Sequence, residues 1–240
     1  MTKLSYDLHI HSCLSPCGNE DMSPANIVNM AKLIGLDVIA VTDHNSCKNL
    51  PAVYSHAKKS NIIAIFGMEL CTMEEVHVLC YFKRLEDALA FDKYVYDNLI
   101  KVTNKKNIFG KQEIYNDEDI KVGEEPNLLI NATNISFNSL DELMDRYKGV
   151  YVPAHVDKGS NSLLSNLGFV PPDVEFSCVE INDMRKADEL CRAHSYFTKC
   201  NIITNSDAHS LEDINDAINF INVRERSSEA VFEAITLRNK

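Results

Sequence analysis

Apolar runs that stop abruptly at imidazole or carboxylate side chains recur along this chain, and they restrict its fold more than any other feature. Leu36 to Val41 is a near-continuous apolar run, the pattern of a strand buried on both faces, and it leads straight into Thr42-Asp43-His44-Asn45. Ile62-Ile63-Ala64-Ile65-Phe66 ends at Gly67-Met68-Glu69, and Val150-Tyr151-Val152 ends at Pro153-Ala154-His155. Asn201-Ile202-Ile203-Thr204 ends at Asn205-Ser206-Asp207-Ala208-His209, and Val76 to Leu79 carries His77 within a short strand. At the start of the chain Leu4, Tyr6, Leu8 and Ile10 alternate with Ser5, Asp7, His9 and His11. That period of two predicts a strand with both imidazoles on one side of the sheet, and with Asp7 facing the same way.

Helices are predicted between these strands. Ser23 as N-cap, Pro24 at the first helical position, the stripe Ile27, Met30, Ala31, Ile34 and the terminator Gly35 define one. Others are expected over 52–59, 85–102, 140–148, 185–199 and 227–237; the third of these carries Ser139 and Glu142 as a capping box with Gly149 closing it. A strand bearing Glu180 is expected over 177–181. Strands alternating with helices imply parallel strands joined by right-handed crossovers, and in a closed barrel the strand ends meet at one rim. At 240 residues and 45% hydrophobic composition, one domain spanning 1–240 is the expectation. Residues 103–126 turn polar and irregular, but Ile108, Phe109, Ile114 and Tyr115 give them enough apolar content for a folded insertion packed over the rim.

The formal net charge of −11 argues against sequence-indifferent binding to nucleic acid or an anionic membrane, because the phosphate term is repulsive on average. An acidic chain that handles a phosphorylated substrate needs metal cations to offset its own field. The sequence does not open with a secretory signal, and stretches such as Ile62 to Met68 are too short to cross a bilayer, so a cytoplasmic protein without membrane partners is expected. Its eight cysteines lack paired Cys-x-x-Cys spacing and read as reduced thiols.

If the rim closes, His9, His11, His44, Glu69, His77, His155, Asp207 and His209 form one constellation. Neutral imidazole with carboxylate suits zinc, manganese or iron, and so many donors suit two or three divalent ions. His56 and His194 lie in helical stretches and read as packing or surface residues.

Asp-Leu-His-Ile-His-Ser, Val-Thr-Asp-His-Asn, Gly-Met-Glu-Leu, Val-His-Val, Pro-Ala-His and Asn-Ser-Asp-Ala-His, in this order from about Leu4 to His209, resemble the successive motifs of the PHP (polymerase and histidinol phosphatase) superfamily. The resemblance implies an α/β fold, a distorted (β/α)7 barrel with a metal cluster at the C-terminal ends of the strands, and phosphoester hydrolysis by a metal-activated hydroxide. On that similarity His9 and His11 ligate one metal, Glu69 bridges two, Asp207 and His209 complete the cluster, and His44, His77 and His155 serve the remaining ions. Family members usually carry Asp or His five or six residues after the second histidine, where this chain has Pro16 and Cys17. Asp21, brought in by a longer loop, is the preferred substitute, with Cys17 as thiolate the other.

Lys158 is the candidate phosphate-binding cation, with Arg185 second, and His209 or His44 the candidate proton donor to the leaving alcohol beside Asp207. The resemblance implies a small phosphomonoester substrate of the nucleoside 3′,5′-bisphosphate or histidinol phosphate type. The alternatives are a 5′→3′ exonuclease or phosphodiesterase acting on oligonucleotides, and a non-catalytic metal-binding regulatory module. Lys101, Lys105, Lys106 and Lys111 show no aromatic rhythm of the kind that single-strand binding uses.

Overall fold

The computed structural model describes residues 1–236. The elements run β1 (Thr2–Ile10), α1 (Pro24–Ile34), β2 (Val38–Val41), α2 (Leu50–Lys59), β3 (Ile63–Cys71), β4 (His77–Phe82), α3 (Leu85–Asn98), α4 (Lys106–Phe109), β5 (Glu113–Tyr115) and β6 (Lys121–Glu124). They continue with α5 (Leu140–Tyr147), β7 (Gly149–Pro153), α6 (Leu163–Leu167), β8 (Cys178–Glu180), α7 (Ala187–Ala193), β9 (Asn201–Ile203), β10 (Phe220–Val223) and α8 (Ser228–Thr236). The local signals of α1 act as expected: the Ser23 hydroxyl accepts from Asn26 N, Pro24 opens the helix, and Gly35 closes it in the left-handed region at φ 84°.

The main sheet has the order β10-β1-β2-β3-β4-β7, and β8 and β9 form a separate parallel pair. A bridge between Ile10 and Ala208 brings the chain after β9 back onto β1, so the curled wall closes around an interior. Parallel pairing holds for β1-β2 and β2-β3, but β3-β4, β4-β7 and β1-β10 are antiparallel. The all-parallel expectation is thereby corrected. β3 runs on through Glu69 to Cys71 and returns directly as β4 with no helix between them, so the first residue of β4, His77, lies at the same rim as the last residues of β3.

Two cores follow from strand alternation. Leu4, Tyr6, Leu8, Val38, Ala40, Ile65, Leu79, Tyr81, Val152, Cys178 and Ile203 fill the interior, plugged by Val231, Phe232 and Ile235 of α8. Ile39, Val41, Phe66, Met68, Val78 and Cys80 point outward against Ile27, Val28 and Ala31 of α1, Val53 of α2, Phe91 of α3 and Leu143 of α5.

Several sequence expectations are corrected locally. α3 ends at Asn98 rather than at 102, and the 185–199 helix is broken into α7 flanked by two short 3-10 turns. The capping box of α5 does not form: the Ser139 hydroxyl donates to Ser136 O within a preceding 3-10 turn, and Lys148, not Gly149, takes the left-handed position. Gly149 instead opens β7, where a Cβ would lie 2.6 Å from the Phe82 ring. β10 was not anticipated. Leu237, the expected end of the last helix, lies outside the described residues.

Candidate metal centre

The inward parity that builds the lower interior delivers the polar groups at its top. Ile65 is followed on the same face of β3 by Glu69, Leu79 is preceded on β4 by His77, and Cys178 is followed on β8 by Glu180. In β1 the pairing register to β2 shifts between Asp7 and Ile10. This bulge places His9 and His11 inward after Leu8 and sends Ile10 to the outer core. Asp7 keeps the opposite parity, across from Ile39, which corrects the expectation that it shares the histidines' face. Its buried carboxylate accepts from Ser206 N (3.1 Å) and Asn215 N (3.2 Å), and so fastens the loop that carries Asp207.

Glu69 is the hub. Its Oε1 lies 3.0 Å from His77 Nδ1, 3.2 Å from His155 Nε2 and 3.3 Å from His9 Nε2, and its Oε2 lies 3.0 Å from His44 Nδ1 and 3.4 Å from His11 Nε2. Asp207 Oδ1 stands 3.2 Å from His11 Nε2 and 3.3 Å from His9 Nε2. Burial alone would raise the Glu69 pKa, but His77, His9 and His44 outweigh it and hold the carboxyl well below its usual range. Burial keeps His44 neutral, with its pKa pulled down to about 3. A neutral imidazole is the form in which histidine ligates a metal.

Hydrogen-bond partners assign the imidazole tautomers. His9 Nδ1 lies 3.1 Å from both oxygens of the buried Glu180, so that nitrogen carries the proton and Nε2 offers its lone pair to the cluster. His11 Nδ1 faces Ser15 Oγ at 3.1 Å, whose own proton goes to Asp43 Oδ1 at 2.7 Å, so His11 also presents Nε2. His209 Nδ1 donates to Asp207 O at 2.7 Å, which frees Nε2 in the same way.

This arrangement fits metal ions. His9 Nε2 and His11 Nε2 face each other at 3.2 Å and both face Asp207 Oδ1, at 3.3 and 3.2 Å, so two imidazole nitrogens and a carboxylate oxygen converge on one point. His44 Nδ1 and Glu69 Oε2 are buried 3.0 Å apart but outside hydrogen-bond geometry, and His155 Nδ1 is buried without a hydrogen-bond partner. Such orphaned groups need a partner, and a divalent ion among imidazoles and carboxylates supplies one. His9 with His11 and Glu69, His44 with Glu69 and His77, and His11 with Cys17, His44 and His209 each bring donor atoms within 4.8 Å of one another. His155 and Asp207 hold positive φ angles of 30° and 54°, strain of about 1–3 kcal/mol each that the surrounding bonds sustain.

A cavity of about 200 Å³ opens onto the cluster, lined among others by Cys17, His155, Lys158, Asp207 and His209. Lys158 pairs with Asp207 Oδ2 at its edge. All eight residues of the expected constellation meet here, and Lys158 joins them. Two expected residues do not. Asp21 is exposed, with its carbonyl accepting from the Asn26 side chain, because the loop turns back before reaching it. Arg185 is exposed and forks onto Asp183, two residues away, in a different depression. Residues 103–126 are folded, but none lines the cavity: they brace the Cys13–Ser23 segment from outside, with Glu113 N donating to Cys13 O and Ser23 Oγ donating to Asp119 Oδ2. Sequence reasoning gave no role to Glu180, Asp43 or Ser15; the inward parity of Cys178 and Glu180 was the signal for the first.

The family model of the PHP domain matches residues 7–151, more than half of the chain. The chain belongs to the PHP domain family. Members of this superfamily are metal-dependent phosphoesterases, and the buried donor clusters accord with that class. Among curated relatives, the PolC-type DNA polymerase III of Bacillus subtilis is 35% identical over 75 residues, which is 31% of this chain and 5% of the polymerase. The PHP chain thus matches only a small part of that relative's length. The lesion-specific endonuclease PfuEndoQ from Pyrococcus furiosus shares the fold at a TM-score of 0.66 and 19% identity, covering 98% of this chain and 56% of that one. A candidate metal-dependent phosphoesterase from Bifidobacterium adolescentis covers 95% of this chain and 94% of its own, at 15% identity and a TM-score of 0.57. Among the described residues no helix is long and apolar enough to cross a membrane.

Proposed function

We propose that the protein hydrolyses a small phosphomonoester, of the nucleoside 3′,5′-bisphosphate or histidinol phosphate type, with two or three divalent ions held by His9, His11, His44, Glu69, His77, His155, Asp207 and His209. The observation that carries this is the ring of five imidazoles within 3.4 Å of one buried carboxylate, Glu69. Divalent ions held there supply an activated water and positive charge against the phosphate oxygens.

The chain's own groups do the rest. Glu180 and Ser15 hold the protons on His9 Nδ1 and His11 Nδ1, so that both Nε2 atoms stay available. Lys158 Nζ stands at the cavity edge on Asp207 and swings its charge-assisted hydrogen bond to a phosphate oxygen when substrate enters. A cavity of about 200 Å³ admits a phosphoryl group and leaves most of the leaving group outside, which favours terminal phosphates.

The test is release of inorganic phosphate from p-nitrophenyl phosphate and a nucleoside 3′,5′-bisphosphate by protein loaded separately with manganese, zinc and iron. Metal-dependent release that disappears in His9→Ala supports the reading. A second reading, phosphodiester cleavage in an oligonucleotide, draws on the likeness to PfuEndoQ, which extends over nearly the whole chain. Digestion of an oligonucleotide without release from the monoesters, with affinity falling steeply as salt rises, would favour it. Protein that holds metal and turns over neither substrate class would return the regulatory-module alternative.

A further inference from the structure

Cys17 stands where the PHP resemblance expects aspartate or histidine, and the loop around it is built to one geometry. Gly18 N donates to Ser15 O at 3.0 Å, closing a tight turn with Pro16 and Cys17 at its two central positions. A Cβ on Gly18 would lie 2.3 Å from Ser12 O, so no other residue closes the turn this way. Ser12 and Ser15 anchor the loop on the buried Asp43 carboxylate through bonds of 2.6 and 2.7 Å. Asn19 N donates to His209 O at 2.8 Å, tying the far side of the turn to the segment that carries His209. From outside, Gly110 packs against Pro16 O so closely that a Cβ there would lie 2.8 Å from it.

The result is a sulfur atom held among imidazoles. A donor atom from each of Cys17, His11, His44 and His209 lies within 4.8 Å of the others, and the His11 ring has its centroid 4.5 Å from those of both His44 and His209. His44 Nδ1 is buried, 3.0 Å from Glu69 Oε2 but outside hydrogen-bond geometry. His11 and His44 are each shared with a neighbouring donor group, so Cys17 and His209 are the donors that belong to this position alone.

We propose that Cys17 is a metal ligand, and that with His209 and a shared imidazole it forms a thiolate-containing position selective for a thiophilic ion of the zinc type over magnesium or manganese. The basis is donor softness: thiolate with imidazole suits zinc, whereas the carboxylate usual at this place suits the harder ions. This rests on the metal-dependent reading of the site and refines it. Cys17 is exposed, whereas the other cysteines are buried or half-buried. A ligated Cys17 is therefore the thiol that an ion should shield from solvent reagents.

Cobalt(II) titrated into the metal-free protein tests this without any assay of turnover. The expected result is a thiolate-to-cobalt charge-transfer band in the near ultraviolet, lost in Cys17→Ser together with one bound ion. Cys17→Asp should restore the ion count without the band, and shift competition at that position from zinc towards manganese by about tenfold or more. Alkylation of Cys17 by iodoacetamide, located by peptide mapping, should slow when zinc is bound. Cobalt bound without the band, or a band that survives Cys17→Ser, overturns the thiolate ligand and leaves the metal-dependent reading standing. Protein that binds no cobalt at all overturns both.

Discussion

His9 depends on a residue that offers the cluster no free lone pair. Both oxygens of Glu180 lie 3.1 Å from His9 Nδ1, and they also accept from Asn205 Nδ2 at 2.7 Å and His155 N at 2.8 Å, so one carboxylate positions two candidate ligands. Removing such a partner leaves the ligand in place but frees its tautomer and its orientation. Glu180→Ala is therefore expected to weaken metal binding by about 10–100-fold, measured by calorimetric titration. Unchanged affinity would mean that packing alone orients His9. Lys158 acts on the other partner of the reaction: Lys158→Ala should leave the metal content as it is and raise KM by about 10–150-fold, the loss of one charge-assisted hydrogen bond of about 1.5–3 kcal/mol. A drop in metal content in that variant would place Lys158 in support of Asp207 instead of substrate. At this scale the sequence was a good guide to the ligands themselves, since each stands at the end of an apolar run. The groups that orient them were not legible, because Glu180 reaches His9 from 171 residues away, and Ser15, although near His11 in sequence, is itself oriented by Asp43, 28 residues away.

The elements show where pattern reading succeeded and where it failed. The termini of α1 were legible because Ser23, Pro24 and Gly35 act through bonds within their own turns. The antiparallel β3-β4 hairpin was not, because a strand buried on both faces reads the same in either direction and periodicity carries no sign of it. Nor was the β1 bulge, a departure from the period of two that only pairing with β2 reveals. The hairpin's connection offers a stability test. Glu74 accepts from Ser136 Oγ at 2.6 Å and Phe137 N at 2.9 Å, joining the turn after β3 to the start of α5. Burial tends to raise its pKa, but these bonds outweigh it and hold the folded value below the usual 4.5. A depressed carboxyl contributes stability above its unfolded pKa and loses it as pH falls through the folded one. Glu74→Gln should thus melt below the parent at neutral pH, by less than about 1 kcal/mol because the group is only half-buried and solvent screens it, and the gap should close under acid. A gap that stays constant with pH would show that the carboxylate's charge plays no part. Packing at the far end of β4 is less forgiving: Gly149→Ala puts a methyl 2.6 Å from the Phe82 ring and 2.9 Å from Tyr81 O, with an expected loss of about 1–3 kcal/mol in denaturant titration.

Over the whole molecule, the closure of the barrel and the content of its rim depend on each other. The wall closes where the chain after β9 meets β1, through His11 N to Ala208 O at 2.9 Å and Leu8 N to Asn205 Oδ1 at 2.8 Å. Those are the segments that carry His9, His11, Asp207 and His209, so an ion held among them ties both sides of the seam. The native state assembles these donors from residues 9 to 209, and the unfolded chain does not. Ions that bind the folded form alone stabilise it by mass action, about 4 kcal/mol at a thousandfold excess over Kd. For a chain of this size each kcal/mol moves Tm by about 2–4 °C, which predicts a rise of about 8–16 °C between chelated and metal-loaded protein. The rise should grow with the logarithm of metal concentration and be much smaller in His9→Ala. Coincident melting curves in chelator and in excess manganese, zinc or iron would mean that the imidazoles and carboxylates satisfy one another by hydrogen bonds alone. The ring around Glu69 would then be a structural polar network at the barrel seam, and the phosphoesterase reading would lose the observation that carries it.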